Sequence, residues 1–301
     1  MIISAYSKRK IDQVIDCIGS IQKQSVAPRE ILLVLDPDPE VVGYYKENVF
    51  ADVRIIESDG FGLSKARNTG VRNSESEIVA FIDDDAVAGE NWLKNLIKNY
   101  SDPSVVGVGG PVMPLWNSKK PDWFPEELNW VVGCTDQVAL NHKMKVRNPV
   151  GCNMSFRKSV VEEAGCFRPD IGRFGKFLLS AEESELCLRI KEGTISDARI
   201  INDPSAIVFH KISEDRVNVK YVLLRSFFEG VSKSLITKTV FDRSMDLTSE
   251  RNYMRNITPA FVASTLKEIY KGSNIAKLAL FSISTLAVLS GYGLGKIFLR
   301  K

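Results

Sequence analysis

Short runs of consecutive apolar residues alternate with stretches of helical period over the first 110 positions of this sequence. The runs 2–6, 31–35, 53–56, 78–82 and 105–108 have strand length. Between the first two, Ile11, Val14, Ile15, Ile18 and Ile21 recur at helical spacing, and the segments 41–48, 64–73 and 92–97 carry the same signature. Strand and helix in regular turn, with crossovers of this length, predict an α/β fold: a mostly parallel, Rossmann-like sheet flanked by helices on both faces. Strands that are apolar at successive positions fit a sheet without a solvent face. Ligands of such folds bind beyond the carboxyl ends of the strands, so chemistry is to be sought there.

From 111 to 156 the alternation stops. Three of the four tryptophans, Trp116, Trp123 and Trp130, lie in this segment among prolines, and it reads as irregular. Helices are predicted again over 158–164 and 182–191, strands near 198–201 and 206–209, and a long helix from 217 to about 236. In that helix Val217, Tyr221, Leu224, Phe228, Val231 and Leu235 form one continuous face, suited equally to packing on the body and to a membrane surface. Near the end, 278–295 is an uncharged stretch of 18 residues bounded by Lys277 on one side and by Lys296, Arg300 and Lys301 on the other. As a helix it would be roughly 27 Å long, against ~30 Å of bilayer hydrocarbon. Serines and glycines dilute it, so membrane association is expected with a buried helix as the alternative, and basic residues on both flanks leave crossing or lying in the interface open.

Charge adds one feature to this picture. The net charge of +3 argues against nucleic acid as the main partner, yet residues 1–215 hold 26 Lys and Arg against 32 Asp and Glu, while 216–301 hold 14 against 5. An acidic body is joined to a basic tail. The five cysteines, Cys17, Cys134, Cys152, Cys166 and Cys187, form no C-x-x-C pair, which points away from zinc and disulfide frameworks and toward a reducing compartment. Residues 1–7, followed by Lys8-Arg9-Lys10, lack the order of a signal peptide, so the body is expected in the cytoplasm.

The strongest chemical signal is Asp83-Asp84-Asp85 at the carboxyl end of a strongly apolar strand. Like charges this close oppose one another's ionisation unless a cation neutralises them, and carboxylate oxygens select Mg2+ or Mn2+. Side chains alternate along extended chain, so Asp83 and Asp85 point one way and Asp84 the other. At 182–191, Glu183, Leu186, Cys187 and Ile190 share the inward face of a helix, whereas Glu182 shares another with Glu185 and Arg189. A carboxylate at a helix start is kept ionised by the macrodipole, ready to accept a proton. Of the two histidines, His142 lies in a polar stretch and is expected on the surface, while His210 ends a strand.

Taken in order, these pieces resemble the inverting, family 2 glycosyltransferases of the GT-A fold. The match runs through Ile3-Ser4-Ala5-Tyr6, the strand ending at Asp36, Gly62-Leu63-Ser64-Lys65-Ala66-Arg67-Asn68-Thr69-Gly70, the aspartate triplet, Gly151-Cys152-Asn153-Met154-Ser155-Phe156-Arg157 and Glu182-Glu183. With Gly109-Gly110, Pro121-Asp122-Trp123, Trp130-Val131-Val132-Gly133 and Phe209-His210-Lys211, the pattern is also similar to archaeal glucosyl-dolichyl phosphate glucuronosyltransferases of protein N-glycosylation. The resemblance implies a catalytic domain over 1–235 and a basic helical tail over 236–301. It implies a uridine diphosphate sugar as donor, a lipid-linked saccharide as acceptor, Mg2+ or Mn2+ as cofactor, and attachment to the cytoplasmic face of the cell membrane; no protein partner is implied. Ala5, Tyr6, Asp36, Asp59, Arg67, Asp83 and Asp84 are then the expected donor contacts. Asp85 and His210 are the expected metal ligands, with a structural role for His210 equally open. Glu183 is the expected base, Glu182 its alternative, and Asn153, Trp116, Trp123 and Trp130 would touch the acceptor. An acceptor phosphate, already ionised, would need no base and would leave Glu183 a positioning role.

Two other classes use part of this pattern. A nucleotidyltransferase also pairs aspartates, but it needs a glycine-rich phosphate loop after the first strand, and Ser4-Ala5-Tyr6-Ser7-Lys8 has none; a dehydrogenase fails on the same ground. A catalytically silent, membrane-attached protein that binds nucleotide sugars or glycans would have the fold without the acids, and the joint presence of Asp83, Asp85 and Glu183 counts against it.

Overall fold

The regular alternation builds β1 (Ile2–Ala5), α1 (Ile11–Gln22), β2 (Leu32–Leu35), α2 (Pro39–Asn48), β3 (Arg54–Glu57), α3 (Leu63–Asn73) and β4 (Ile78–Asp83). They are seen in a computed structural model that describes residues 1–48, 52–135, 143–172, 178–193, 197–239 and 248–298; His142 lies outside these. Next come β5 (Ala86–Ala88), α4 (Trp92–Ile97), β6 (Val105–Gly109), β7 (Val112–Trp116), β8 (Met144–Lys145), β9 (Asn153–Arg157), α5 (Lys158–Glu163), α6 (Glu182–Glu192), β10 (Arg199–Asn202) and β11 (Val208–Ile212). The main sheet has the order β3-β2-β1-β4-β9-β6-β10-β8. β1 runs parallel to both neighbours, with Ile2 opposite Leu32 and Phe81. Strand order falls from 3 to 1 and then jumps to 4, so the crevice between the carboxyl ends of β1 and β4 is the switch point where this architecture binds ligands.

The sheet departs from the expected pattern at β9, which is antiparallel to β4 on one side and to β6 on the other. Its residues fell in the segment read as irregular because Asn153 and Ser155 give it a polarity that a strand buried on both faces seldom has. Here the polar groups are satisfied in place. Ser155 Oγ donates to Val108 O at 2.9 Å and meets the Tyr100 hydroxyl at 2.8 Å. The core beside it gathers Ile2, Leu32, Val34, Phe81, Val106 and Phe156, and Phe81 meets Phe167 edge to face with ring centroids 5.5 Å apart. A smaller antiparallel pairing of β11 with β5 sets His210 opposite Ala86.

Two compact units emerge: Met1–Met113 with Gln137–Gly172 and Glu182–Lys211, and Pro114–Asp136 with Arg173–Ala181 and Ile212–Lys301. The second contains α7 (Val219–Thr239), α8 (Thr248–Asn252), a π-helical turn (Tyr253–Ile257), α9 (Thr258–Lys267) and α10 (Gly272–Phe298). Ile212 opens the last segment of the second unit, and α7 belongs with α10. The two helices touch backbone to backbone: a Cβ added at Gly230 would lie 2.0 Å from Val288 O, and one at Gly291 would lie 2.0 Å from Phe227 O. A Cβ at Gly295 would meet Ser234, so the residue numbers climb together and the helices run parallel.

This seam makes a paired test. Alanine normally improves a helix over glycine by about 1 kcal/mol. At Gly293, which has nothing within 4 Å of a new Cβ, Gly293→Ala is expected to be neutral or stabilising. Gly291→Ala is expected to lower stability by about 1–3 kcal/mol, because the methyl must push the helices apart. Urea denaturation of both variants decides it, and equal effects would show the seam to be open.

Candidate active site

The carboxyl ends of β1, β2 and β4 bring the expected donor contacts to one edge of the main sheet. Ala5 is buried under this edge and the Tyr6 ring is exposed at it. Asp36 follows β2 and accepts the Gly62 N–H at 3.1 Å. Gly62 has φ 106°, a conformation that glycine enters without strain, and this turn at the start of α3 aims its N–H at the carboxylate. Burial holds the Asp36 carboxyl above its usual range. Asp59, beyond β3, is exposed, forms an ion pair with Arg72 and donates its backbone N–H to Thr69 Oγ1 at 3.2 Å.

Asp83, Asp85 and His210 offer ligand atoms that all lie within 4.8 Å of one another. Two features of the backbone produce this. The strand ends at Asp83 and the chain turns through Asp84 and Asp85 into β5, which brings Asp85 back beside Asp83, and the β5–β11 pairing carries His210 up to them, with Lys211 N–H donating to Asp85 O at 2.8 Å. His210 Nε2 lies 3.1 Å from Asp85 Oδ1. Two carboxylates and an imidazole nitrogen converging at a strand end fit a divalent cation of the Mg2+ or Mn2+ kind.

Asp84 sits deeper than its two neighbours' cluster with His210. Implied by the resemblance as a donor contact, it is buried and shares Lys10 with Asp85, and its Oδ2 has no hydrogen-bond partner among the described residues. Burial and the charge of Asp85 push its carboxyl up to about 7. What restrains this rise is Lys10, whose Nζ lies 3.0 Å from Asp84 Oδ1 and 3.3 Å from Asp85 Oδ2, with the Tyr6 ring 5.1 Å away. Lys10 was missed because Lys8-Arg9-Lys10 reads as a solvated basic triplet. The available signal was the unbalanced aspartate triplet itself, which demands an internal cation as well as a metal.

Arg67, only 2% exposed, ties the helix-borne acids to this cluster. Its guanidinium donates to Glu182 Oε1 at 3.0 Å, to Gly151 O at 3.1 Å and to Asp83 Oδ1 at 3.4 Å, and it stands over the Phe167 ring at 5.5 Å. Leu186, Cys187 and Ile190 face the core as expected, but the side of α6 that carries Glu182 and Glu185 is buried as well, and Glu183 is only half-buried. Arginines compensate the buried acids: Arg67 of α3 meets Glu182, and Glu185 pairs with Arg189 on its own helix at 2.6 Å and faces Arg168 at 3.9 Å. Just ahead of α6, Ala181 has φ 92°, a conformation that costs a residue with a side chain about 1–3 kcal/mol. Arg67→Met would leave Glu182 charged and alone in the interior. It is expected to cost about 3–5 kcal/mol in chemical denaturation, and a loss below about 1 kcal/mol would show that the pair is open to water.

The acceptor-side residues separate. Asn153 is 0% exposed, and its amide is fully engaged: Oδ1 accepts from Trp92 Nε1 at 2.8 Å, while Nδ2 donates to Ala206 O at 2.8 Å and Pro111 O at 3.0 Å. It clamps three segments of the core, with its amide engaged inside the protein. Trp116, Trp123 and Trp130 belong to the second unit, half-buried, with Trp116 and Trp123 packed edge to face on the buried Phe124 at 5.5 and 6.0 Å.

A switch-point crevice with paired aspartates, an imidazole and glutamates at a helix start defines a glycosyltransferase of GT-A-like fold, and the comparisons agree. The pattern described as "Glycosyl transferase family 2" matches residues 1–165, and the chain belongs to this family. It is 31% identical over 304 residues to the glucosyl-dolichyl phosphate glucuronosyltransferase of Haloferax volcanii, covering 98% of this chain and 95% of that protein. Among solved structures, a mannosyltransferase from Pyrobaculum calidifontis in complex with GDP-Man and Mn2+ has a TM-score of 0.60 at 16% identity, covering 100% of this chain and 87% of that one. GalNAc-T7 with UDP, GalNAc and Mn2+ has a TM-score of 0.52 at 12% identity, covering 84% and 57%. At these identities the structural likeness speaks for the fold.

Proposed function

We propose that this glycosyltransferase moves a sugar, glucuronic acid in the first instance, from its uridine diphosphate donor to a saccharide carried on dolichyl phosphate, with inversion at the anomeric carbon. The observation that carries the reading is the convergence of Asp83, Asp85 and His210 at the switch point. The full-length likeness to the Haloferax enzyme supports the choice of sugar and acceptor. Asp83, Asp85 and His210 would hold a divalent cation, which when bound supplies positive charge to the departing diphosphate. Asp36 and the Tyr6 ring flank the nucleoside, and Arg67, held by Glu182, sets the edge of the donor pocket. Glu183 takes the proton of the acceptor hydroxyl as its oxygen forms the new bond to the anomeric carbon and the bond to the diphosphate breaks on the opposite side. The enzyme works at the cytoplasmic face of the cell membrane, to which its C-terminal helices attach it.

The test is transfer from labelled uridine diphosphate glucuronic acid to glucosyl-dolichyl phosphate, with and without chelator, followed by assignment of the anomeric configuration of the product. Transfer from uridine diphosphate glucose but not from the glucuronic acid donor would refute the sugar assignment. A retained configuration would refute the mechanism.

A further inference from the structure

We propose that α10 lies in the plane of the membrane surface, sunk into the boundary between headgroups and acyl chains along one uncharged side, and does not cross the bilayer. This rests on the membrane attachment proposed above and settles its geometry.

The helix has two unlike sides. Ile275, Ile283, Leu286, Leu289, Leu294 and Ile297 are all exposed, Leu286 and Ile297 at 62%. At helical spacing they occupy one side roughly 140° wide. No acidic or basic residue stands between Lys277 and Lys296, so the strip is uncharged along most of the helix and its only exposed polar side chains are the hydroxyls of Ser282 and Ser290. The other side is covered by protein along its length. Phe281 packs on Phe261 and Tyr253 at ring distances of 4.7 and 6.3 Å, and farther along Gly291 and Gly295 press against α7.

What α7 carries at that level decides between crossing and lying flat. Glu229 pairs with Arg225 at 2.8 Å and with Lys233 at 3.0 Å, Ser180 Oγ donates to Glu229 at 2.9 Å, and Lys233 continues to Glu250 at 2.8 Å. Although burial opposes it, Lys233 and Arg225 hold the Glu229 carboxyl well below its usual range, so the ladder stays ionised. A crossing α10 would draw this ladder and the helices bearing it into hydrocarbon, where every charge is costly. A flat α10 keeps the ladder on the protein side and gives only its apolar strip to lipid. The ends suit the same placement. Lys271 stands 5.8 Å over the ring of Tyr270, and Lys296 stands 5.4 Å over that of Tyr292. Lys271 also pairs with Glu268 at 2.8 Å. Tyrosine rings and lysine stems of this kind settle at the interface with their polar ends among headgroups. The excess of basic residues over 216–301 complements an anionic leaflet.

The experiment uses the full chain reconstituted into vesicles of phosphatidylcholine and phosphatidylglycerol, with a nitroxide attached through a non-natural amino acid at position 275, 286 or 297 in turn. Expected are cosedimentation with the vesicles and three equal, shallow immersion depths by oxygen and nickel accessibility. Leu286→Glu with Leu289→Glu is expected to weaken vesicle partitioning at least ~100-fold, the equivalent of withdrawing two leucines from an apolar phase, with an unchanged thermal melt because both side chains are exposed in the free protein. A graded profile with position 286 at the bilayer centre would overturn the in-plane geometry and leave the attachment standing. A full-length chain that ignores vesicles, or self-associates through this strip without binding them, would overturn both.

Discussion

Glu183→Gln is expected to lower turnover at least ~10²-fold, the lower end of what general-base catalysis contributes, while nucleotide affinity stays near that of the parent enzyme. Glu182→Gln is expected to behave differently. It weakens the partner of a buried arginine that also touches Asp83, so its effect falls on donor affinity and stability more than on the chemical step. Steady-state kinetics on both variants, with calorimetric titration of uridine diphosphate as the binding control, separates the two. If Glu182→Gln abolished turnover with donor affinity intact while Glu183→Gln remained active, the base would be Glu182, and the half-buried Glu183 would be a helix-start acid.

Asp85→Ala is expected to abolish the response of nucleotide binding to metal. In the parent enzyme, Mn2+ or Mg2+ should tighten uridine diphosphate at least ~10-fold over chelated protein, equivalent to about 1.4 kcal/mol; in the variant the two titrations should coincide. Asp84→Asn provides the contrast, because Asp84 faces Lys10 and the interior. It is expected to keep the metal response while changing the stability of the metal-free protein. Metal-independent binding in the parent enzyme would remove the cation from the reading altogether.

The strands at 2–6, 31–35 and 78–82 were legible because a two-sided sheet leaves no room for polar residues, and continuous apolar runs are what remains. β9 was hidden by the opposite circumstance: Asn153 and Ser155 are polar yet fully enclosed, and their partners Trp92, Pro111, Ala206 and Val108 lie far off in sequence. The aspartate triplet announced itself because three adjacent charges at a strand end are physically anomalous, whereas the Lys10 contact with it spans 74 and 75 residues and has no local trace. The helical-face argument for α6 placed Leu186, Cys187 and Ile190 in the core, where they lie, but took Glu183 and not Glu182 as the inward acid. It could not see Arg67, which enters from α3 and makes burial of Glu182 tolerable.

Parallel packing of α7 on α10 carries an obligation of its own. Antiparallel helices can be joined by a short turn, but a parallel pair forces the chain to travel back the full length of the first helix before the second begins. Among the described residues α8, the π-helical turn and α9 lie on that return, and Phe261 of α9 packs on Phe281. The return is thus a topological necessity and no dispensable linker. A polypeptide ended at residue 235 would lay bare Ser226, Gly230 and Ser234, a groove of small residues on α7 whose backbone α10 otherwise closes. α7 and α10 therefore have to be kept or removed together.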